Sequence, residues 1–263
     1  VMSRRTSRSG GWKRPTLRMV KMNWAAMGAE ATGGLGVAPW PAGPYAPLMS
    51  GITSRAPEAV LFDFGGVILT SPFDAFAAYE AEAGLPIDTV RRINSTNPDT
   101  NAWARFERRE VGTQEFCGLF EAEASAMGLE VDATRILAGL EGTLRPAMVE
   151  ALRRCGSAFR TALLTNNVTP LADQKGGRSA VQEVVDMFDV VVESSVVGCR
   201  KPEPAFYTLA CERLGVEPSA CVLLDDLGVN LKPARAMGMT TIKVGDPARA
   251  ISDLEQVLGI RLG

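Results

Sequence analysis

From residue 59 onward the chain repeats one pattern: a short, continuously apolar run that closes in polar or glycine residues, followed by a helical segment. Five such runs occur, "AVLFDF" (59–64), "RTALLTNN" (160–167), "FDVVVES" (188–194), "ACVLLDD" (220–226) and "TTIKVGD" (240–246). Their length and β-rich composition identify them as buried strands. Helices fit between them: "PAMVEALRRCG" before the second, "AVQEVVDM" after it, "PAFYTLACERLG" before the fourth and "KPARAMG" before the fifth. Pro202, Pro204, Pro233 and Pro247 stand where helices would start, and Gly156, Gly215 and Gly238 where they would end. The alternation predicts an α/β fold, a doubly wound parallel sheet covered by helices on both faces.

One interval departs from this pattern. Residues 70 to about 158 carry helical signals without strands: "PFDAFAAYEAEAG", "TVRRINS", "TQEFCGLFEAEASAMG" and "ATRILAGLEG". Thr113 is placed to cap the third of these, whose apolar positions Phe116, Leu119, Phe120, Ala124 and Met127 recur at helical spacing. The expected organisation is a core over 56–70 and 157–263, with an all-helical cap over 71–156 inserted after the first strand.

Residues 1–55 mix basic residues with Gly, Pro and Ser and show no periodicity, so they read as a disordered or mis-started extension. Seven Arg or Lys and no acid fall within residues 1–21. Removing those seven charges from the total of −2 leaves −9 on the rest. A folded part so acidic has no electrostatic reason to bind nucleic acid. No apolar run reaches the roughly 18 residues of a membrane span, so no membrane association is expected. The compartment expected is the cytoplasm, or an organelle if the Arg-rich start is a transit peptide. Five widely spaced cysteines form no C-x-x-C pair, which argues against a disulfide framework or a zinc site. The chain contains no histidine, excluding His-based triads, His-ligated metals and imidazole acid-base catalysis. Chemistry here must run on carboxylates, lysine, hydroxyls and metal.

Ligands of doubly wound sheets bind at the carboxyl ends of the strands. Asp63 closes the first strand, Thr165 and Asn166 the second, and Asp225 with Asp226 the fourth, while Lys201 lies in the loop after the third. Each alone has an ordinary explanation as a cap, a turn former or a solvated lysine. Together they do not, because three acids on buried strand ends repel one another unless a cation neutralises them.

The set Asp63, Thr165, Lys201 and Asp225-Asp226, in that chain order, resembles the four motifs of the haloacid dehalogenase-like (HAD) hydrolase superfamily, and the helical insert resembles its cap. "TALLTNN", "VGCRKPEPAFY" and "LLDDLGVNLKPARAMGMTTIKV" are near the wording of the N-terminal phosphatase domain of soluble epoxide hydrolases and of domains associated with acyl-CoA dehydrogenase modules. The resemblance implies a Mg2+-dependent phosphatase of a small phosphorylated metabolite. Asp63 would be the nucleophile, forming an aspartyl-phosphate. Thr165 and the Asn166 amide would hold phosphoryl oxygens, and Lys201 would balance charge. Asp63, the carbonyl of Gly65, and one or both of Asp225 and Asp226 would ligate magnesium, a metal that prefers oxygen donors. Three carboxylates and a phosphate dianion total −5, which Mg2+ and Lys201 bring to −2; amides and the Thr165 hydroxyl must help.

Gly65 departs from that pattern, since family phosphatases commonly place a second Asp there as general acid. Its carbonyl is still available to the metal. Two alternatives therefore accompany the phosphatase reading: a pseudoenzyme that kept the fold as a phosphate-binding or interaction domain, and a carbon–halogen hydrolase, which the Asp225-Asp226 pair disfavours. Asn230 is a candidate brace for the loop after Asp226. Trp103, Phe106, Glu107 and Arg108 have two readings, side chains projecting from the cap toward substrate or, the favoured one, an amphipathic cap helix packing on its neighbours. Cap composition names no metabolite, and oligomeric state is not legible.

Overall fold

The computed structural model describes residues 56–168, 171 and 179–262; the extension expected over residues 1–55 lies outside them. Five strands, β1 (Ala59–Phe62), β2 (Arg160–Thr165), β3 (Val190–Glu193), β4 (Cys221–Asp225) and β5 (Thr240–Lys243), form one sheet in the order β3-β2-β1-β4-β5. Every neighbouring pair is parallel, as the α/β reading requires.

In chain order the helices are α1 (Pro72–Glu82), α2 (Thr89–Ser95), α3 (Ala102–Glu107), α4 (Thr113–Ala126), α5 (Ala133–Ala138) and α6 (Pro146–Cys155), then α7 (Ala180–Val185), α8 (Ser194–Val197), α9 (Pro204–Leu214), α10 (Gly228–Ala236) and α11 (Pro247–Leu258). The sheet's two faces account for its uninterrupted apolar strands. Val60 and Phe62 of β1 pack in one layer with Met148 and Leu152 of α6 and Leu254 of α11. Ala59 and Leu61 point the other way, toward Phe206 and Tyr207 of α9 and Leu231 of α10. A strand buried on both sides has no solvent face on which polar residues could alternate. None of the helices among the described residues is long and apolar enough to cross a membrane.

Helices α1 to α5 bury a separate aromatic cluster. Phe116 stacks on Phe106 with centroids 4.4 Å apart, and Trp103 meets Phe76, Phe116 and Phe120 edge-on. Trp103 and Phe106 thus pack within the insert, as the amphipathic reading of that helix expects. The bounds 71–156 drawn from the sequence take in α6, a helix whose buried face lies in the sheet's core.

Several local expectations are corrected. Thr113 does not cap α4: Gly112 holds the N-cap position in extended backbone, accepting from the Phe116 N–H, and Thr113 is the first helical residue. Met127 follows the end of α4 and is exposed. Pro233 lies inside α10, not at its start, because the chain turns helical directly after the β4 loop, at Gly228. Pro202 belongs to the turn before α9, which begins at Pro204, where a missing N–H costs nothing. β2 stops at Thr165, not 167: the Asn166 side chain turns to the Lys201 carbonyl, and Asn167 donates from its N–H to the Ser194 hydroxyl and from its side chain to Glu193. Likewise β3 ends at Glu193, and Ser194 opens α8.

Candidate active site

Register explains why the carboxylates meet. Phe62 pairs with Leu163 on one side and Leu224 on the other, so Asp63 stands level with Asp225, and its N–H donates to the Leu224 carbonyl at 2.9 Å. Thr165 lies one step further along β2, buried, at the same rim. Beyond Asp63 the backbone makes a single wide turn, Phe64–Ile68, whose Gly65 and Gly66 are not helical, Gly66 adopting φ +76°. The Asp63 carboxylate accepts from the Phe64 N–H at 2.6 Å, and the Leu69 N–H closes the turn on the Phe64 carbonyl. Arg145 holds this turn from outside, donating to the Gly66 carbonyl at 2.6 Å.

Lys201 is buried between two acids, its Nζ 2.7 Å from Asp63 Oδ1 and 2.7 Å from Asp225 Oδ2. Asp225 is 0% exposed. Its carboxylate also accepts from the Leu227 N–H at 2.9 Å and from Asn230 Nδ2 at 3.0 and 3.1 Å. The expected brace at Asn230 therefore grips Asp225, and Tyr207 in turn donates to the Asn230 carbonyl. Asp226 makes a different contact. Its Oδ2 accepts from the Ser71 hydroxyl at 3.4 Å, and Ser71 also caps α1.

Electrostatics follow from this burial. Burial, then the Asp225 charge, raise the Asp63 pKa well above the usual carboxylate range, with Lys201 opposing. Asp226 is pushed up to about 6 by burial and by Asp225. For Lys201 burial alone would lower the pKa, but Asp225 and Asp63 outweigh it and the net shift is upward. The ammonium stays charged.

One ligand oxygen from each of Asp63, Asp225 and Asp226 lies within 4.8 Å of the others. A single ammonium cannot neutralise three such carboxylates, and an all-oxygen donor set suits a hard divalent cation. The residues present therefore fit magnesium. Asp225 has spent most of its lone pairs on protein donors, which leaves Asp226 and Asp63 with the freer oxygens.

Asp63, Thr165, Asn166, Lys201, Asp225 and Asp226 fall at this rim, and Asn166 carries an added task. Its side chain pairs with the Lys201 backbone, Oδ1 accepting from the N–H and Nδ2 donating to the carbonyl, both at 2.9 Å. Nδ2 also donates to Glu107 Oε2 in the insert at 3.1 Å. Ser71, Arg145, Arg200 and Asn167 were missed by sequence reasoning. Ser71 before Pro72 signals only a helix cap, and nothing in the spacing of the others marks what they touch.

The chain is similar to several known proteins. It is 34% identical over 214 residues to mouse "Acyl-CoA dehydrogenase family member 10", covering 79% of this chain and 20% of that protein. It is 41% identical over 118 residues to pig "Bifunctional epoxide hydrolase 2", covering 44% of this chain and 21% of that protein. The chain thus spans about a fifth of the length of these two relatives. "Phosphatase MT3486" of Mycobacterium tuberculosis is 36% identical over 200 residues, covering 69% of this chain and 84% of that protein. Among solved structures, a HAD-family enzyme of Bacteroides thetaiotaomicron in complex with magnesium and inorganic phosphate superposes with a TM-score of 0.51 at 19% identity, covering 73% of this chain and 96% of the other. Residues 57–238 match the family model of haloacid dehalogenase-like hydrolases, and the chain belongs to that family of hydrolases.

Proposed function

We propose that the protein is a magnesium-dependent phosphatase of a small phosphorylated metabolite, with Asp63 as nucleophile. The observation that carries this reading is the convergence of Asp63, Asp225 and Asp226, the first two sharing the buried ammonium of Lys201. The named phosphatase among the relatives, and the magnesium and phosphate held by the structural neighbour, support it.

In this reading an Asp63 oxygen attacks phosphorus, the bond to the leaving oxygen breaks, and an aspartyl-phosphate forms. Water then attacks the same phosphorus, releasing phosphate and restoring the carboxylate. The Thr165 hydroxyl and the Asn166 backbone amide hold phosphoryl oxygens. Lys201, clamped by Asp225 and Asn166, favours the ionised form of Asp63, aims it and offsets negative charge. Asp63, the Gly65 carbonyl and Asp226 hold the metal, with Asp225 alongside as the residue that secures Lys201. Magnesium, when bound, supplies neutralising charge to the phosphoryl oxygens. Gly65 offers no acid, so the leaving oxygen takes its proton from water or from the substrate. Substrates that leave readily, such as acyl or anomeric sugar phosphates, are therefore the preferred class.

A panel of acyl, sugar and alkyl phosphates, assayed with Mg2+ and with EDTA, tests the reading. Phosphate release that requires the metal and disappears in Asp63→Asn is expected. Equal background release by wild type and Asp63→Asn across the panel would sink it.

A further inference from the structure

One carboxylate of the insert, that of Glu107, meets residues on both sides of the Lys201 backbone contact, Arg200 and Asn166. Glu107, the last residue of α3, is 7% exposed. Its Oε1 accepts from Trp103 Nε1 at 3.0 Å, while its Oε2 accepts from Asn166 Nδ2 at 3.1 Å and forms an ion pair with Arg200 Nε. Asn166 holds both main-chain polar groups of Lys201, and Arg200 is the residue before it. Nearby, Arg200 donates to the Pro98 carbonyl and Arg108 pairs with Glu203 at 3.3 Å. The insert's polar ties to this loop thus fall on the residues that flank Lys201.

We infer that Glu107 is a positioning residue: from the insert, it sets the Asn166 amide and the Arg200 guanidinium, and through them the placement of Lys201 between Asp63 and Asp225. A primary amide has two donor hydrogens, and here Nδ2 spends one on the Lys201 carbonyl and one on Glu107. Without Glu107 the second Nδ2 hydrogen loses its partner, and the bidentate pair with Lys201 loses the outer contact that braces it. Nucleophile chemistry is sensitive to such placement, since displacements on the order of 1 Å cost about 10²-fold. Seating of the insert and alignment of the ammonium are therefore coupled. The inference rests on the phosphatase reading for its kinetic consequence, but the structural coupling stands apart from turnover.

The test uses the full chain, p-nitrophenyl phosphate with Mg2+, and amide hydrogen exchange at Lys201. In Glu107→Ala, kcat should fall about ten- to a hundredfold, as when a supporting partner of a site residue is lost, with KM changed by no more than about twofold. The Lys201 amide should exchange about tenfold faster or more. Arg200→Ala should show a smaller loss, and the double variant less than the product of the two. Glu107→Gln, which keeps the length and one acceptor oxygen, should recover part of kcat, and it replaces Glu107→Ala if that variant does not fold. An unchanged Lys201 exchange rate overturns the inference whatever the turnover. So does a lowered Tm with unchanged kcat, which would make Glu107 only a fastener of the insert. Absence of Asp63-dependent turnover in wild type defeats the phosphatase reading, while the exchange rate still decides the coupling.

Discussion

Gly66 lies so close to Asp226 that a Cβ built on it would fall 2.1 Å from Asp226 Oδ2 and 2.4 Å from its Cγ. Its φ of +76° already disfavours any side chain. Gly66→Ala should therefore cost about 1–3 kcal/mol of stability and displace Asp226, weakening Mg2+ binding. Gly65 has a different setting: a Cβ there would make ordinary contact with Pro72 Cδ at 3.5 Å. Gly65→Ala should leave stability within about 0.5 kcal/mol. Thermal melts and calorimetric Mg2+ titration of both variants check this, and wild-type metal affinity in Gly66→Ala would contradict it.

Lys201 is the ammonium between two buried carboxylates, so Lys201→Met leaves Asp63 and Asp225 facing each other uncompensated. Breaking a buried pair from one side costs about 3–5 kcal/mol. Urea unfolding in EDTA at pH 7.5 should show a loss near the lower figure, because the raised pKa of Asp63 lets it take a proton. Turnover should be lost as well. Lys201→Arg should not rescue it, since a planar fork cannot replace a point charge here. A urea midpoint equal to wild type would refute the structural half.

Asp226 supplies a pH signature. Its carboxyl is pushed up from 3.8 to about 6, by burial first and then by Asp225. The metal-free folded chain thus holds this proton more tightly than the unfolded chain. Stability linked to the group is fully present below the unfolded value and lost as pH rises through about 6. In EDTA at pH 7.5, Asp226→Asn should be the more stable protein, by no more than about 2 kcal/mol after solvent screening. The difference should vanish at pH values below the unfolded pKa. Saturating Mg2+ at pH 7.5 should reverse the order, because only wild type gains from metal binding. A wild type more stable than the variant in EDTA at pH 7.5 would show that this carboxylate carries no penalty.

What could be read from the residues, and what could not, has a physical division. The sheet was legible because buried parallel strands must be apolar on both faces, and the rim residues because polar groups at strand ends need a reason. Helix starts were less so: Pro233 suits the first turn of a helix, yet α10 begins five residues earlier, at Gly228, right after the loop that Leu227 and Asn230 tie to Asp225. Thr113 looked like a cap only because hydroxyl residues make good caps, whereas Gly112 has the extended backbone the position needs. Asn166 was read for its backbone amide, and its side-chain grip on Lys201 left no trace in sequence, since 35 residues separate the two. Glu107 was read as packing for the same reason. Contacts between an insert and a core depend on how the two seat, which spacing along the chain does not encode.

Gly65 gives the sharpest test of the chemistry. At φ −67° and ψ 132° its backbone is open to any residue, and the space around its Cβ position is ordinary. Gly65→Asp should therefore fold. If the missing acid limits this enzyme, wild-type rates should fall steeply as the leaving oxygen becomes more basic, because only water or the substrate protonates it. In Gly65→Asp that dependence should flatten: alkyl phosphates gain up to about 10²–10⁴ in kcat, while p-nitrophenyl phosphate, whose phenolate departs without help, changes little. Asp63→Asn in the Gly65→Asp background must abolish both activities, which separates true turnover from contamination. If the dependence on leaving-group basicity is equally steep in wild type and Gly65→Asp, proton delivery is not what Gly65 withholds, and substrate selection must arise in the insert.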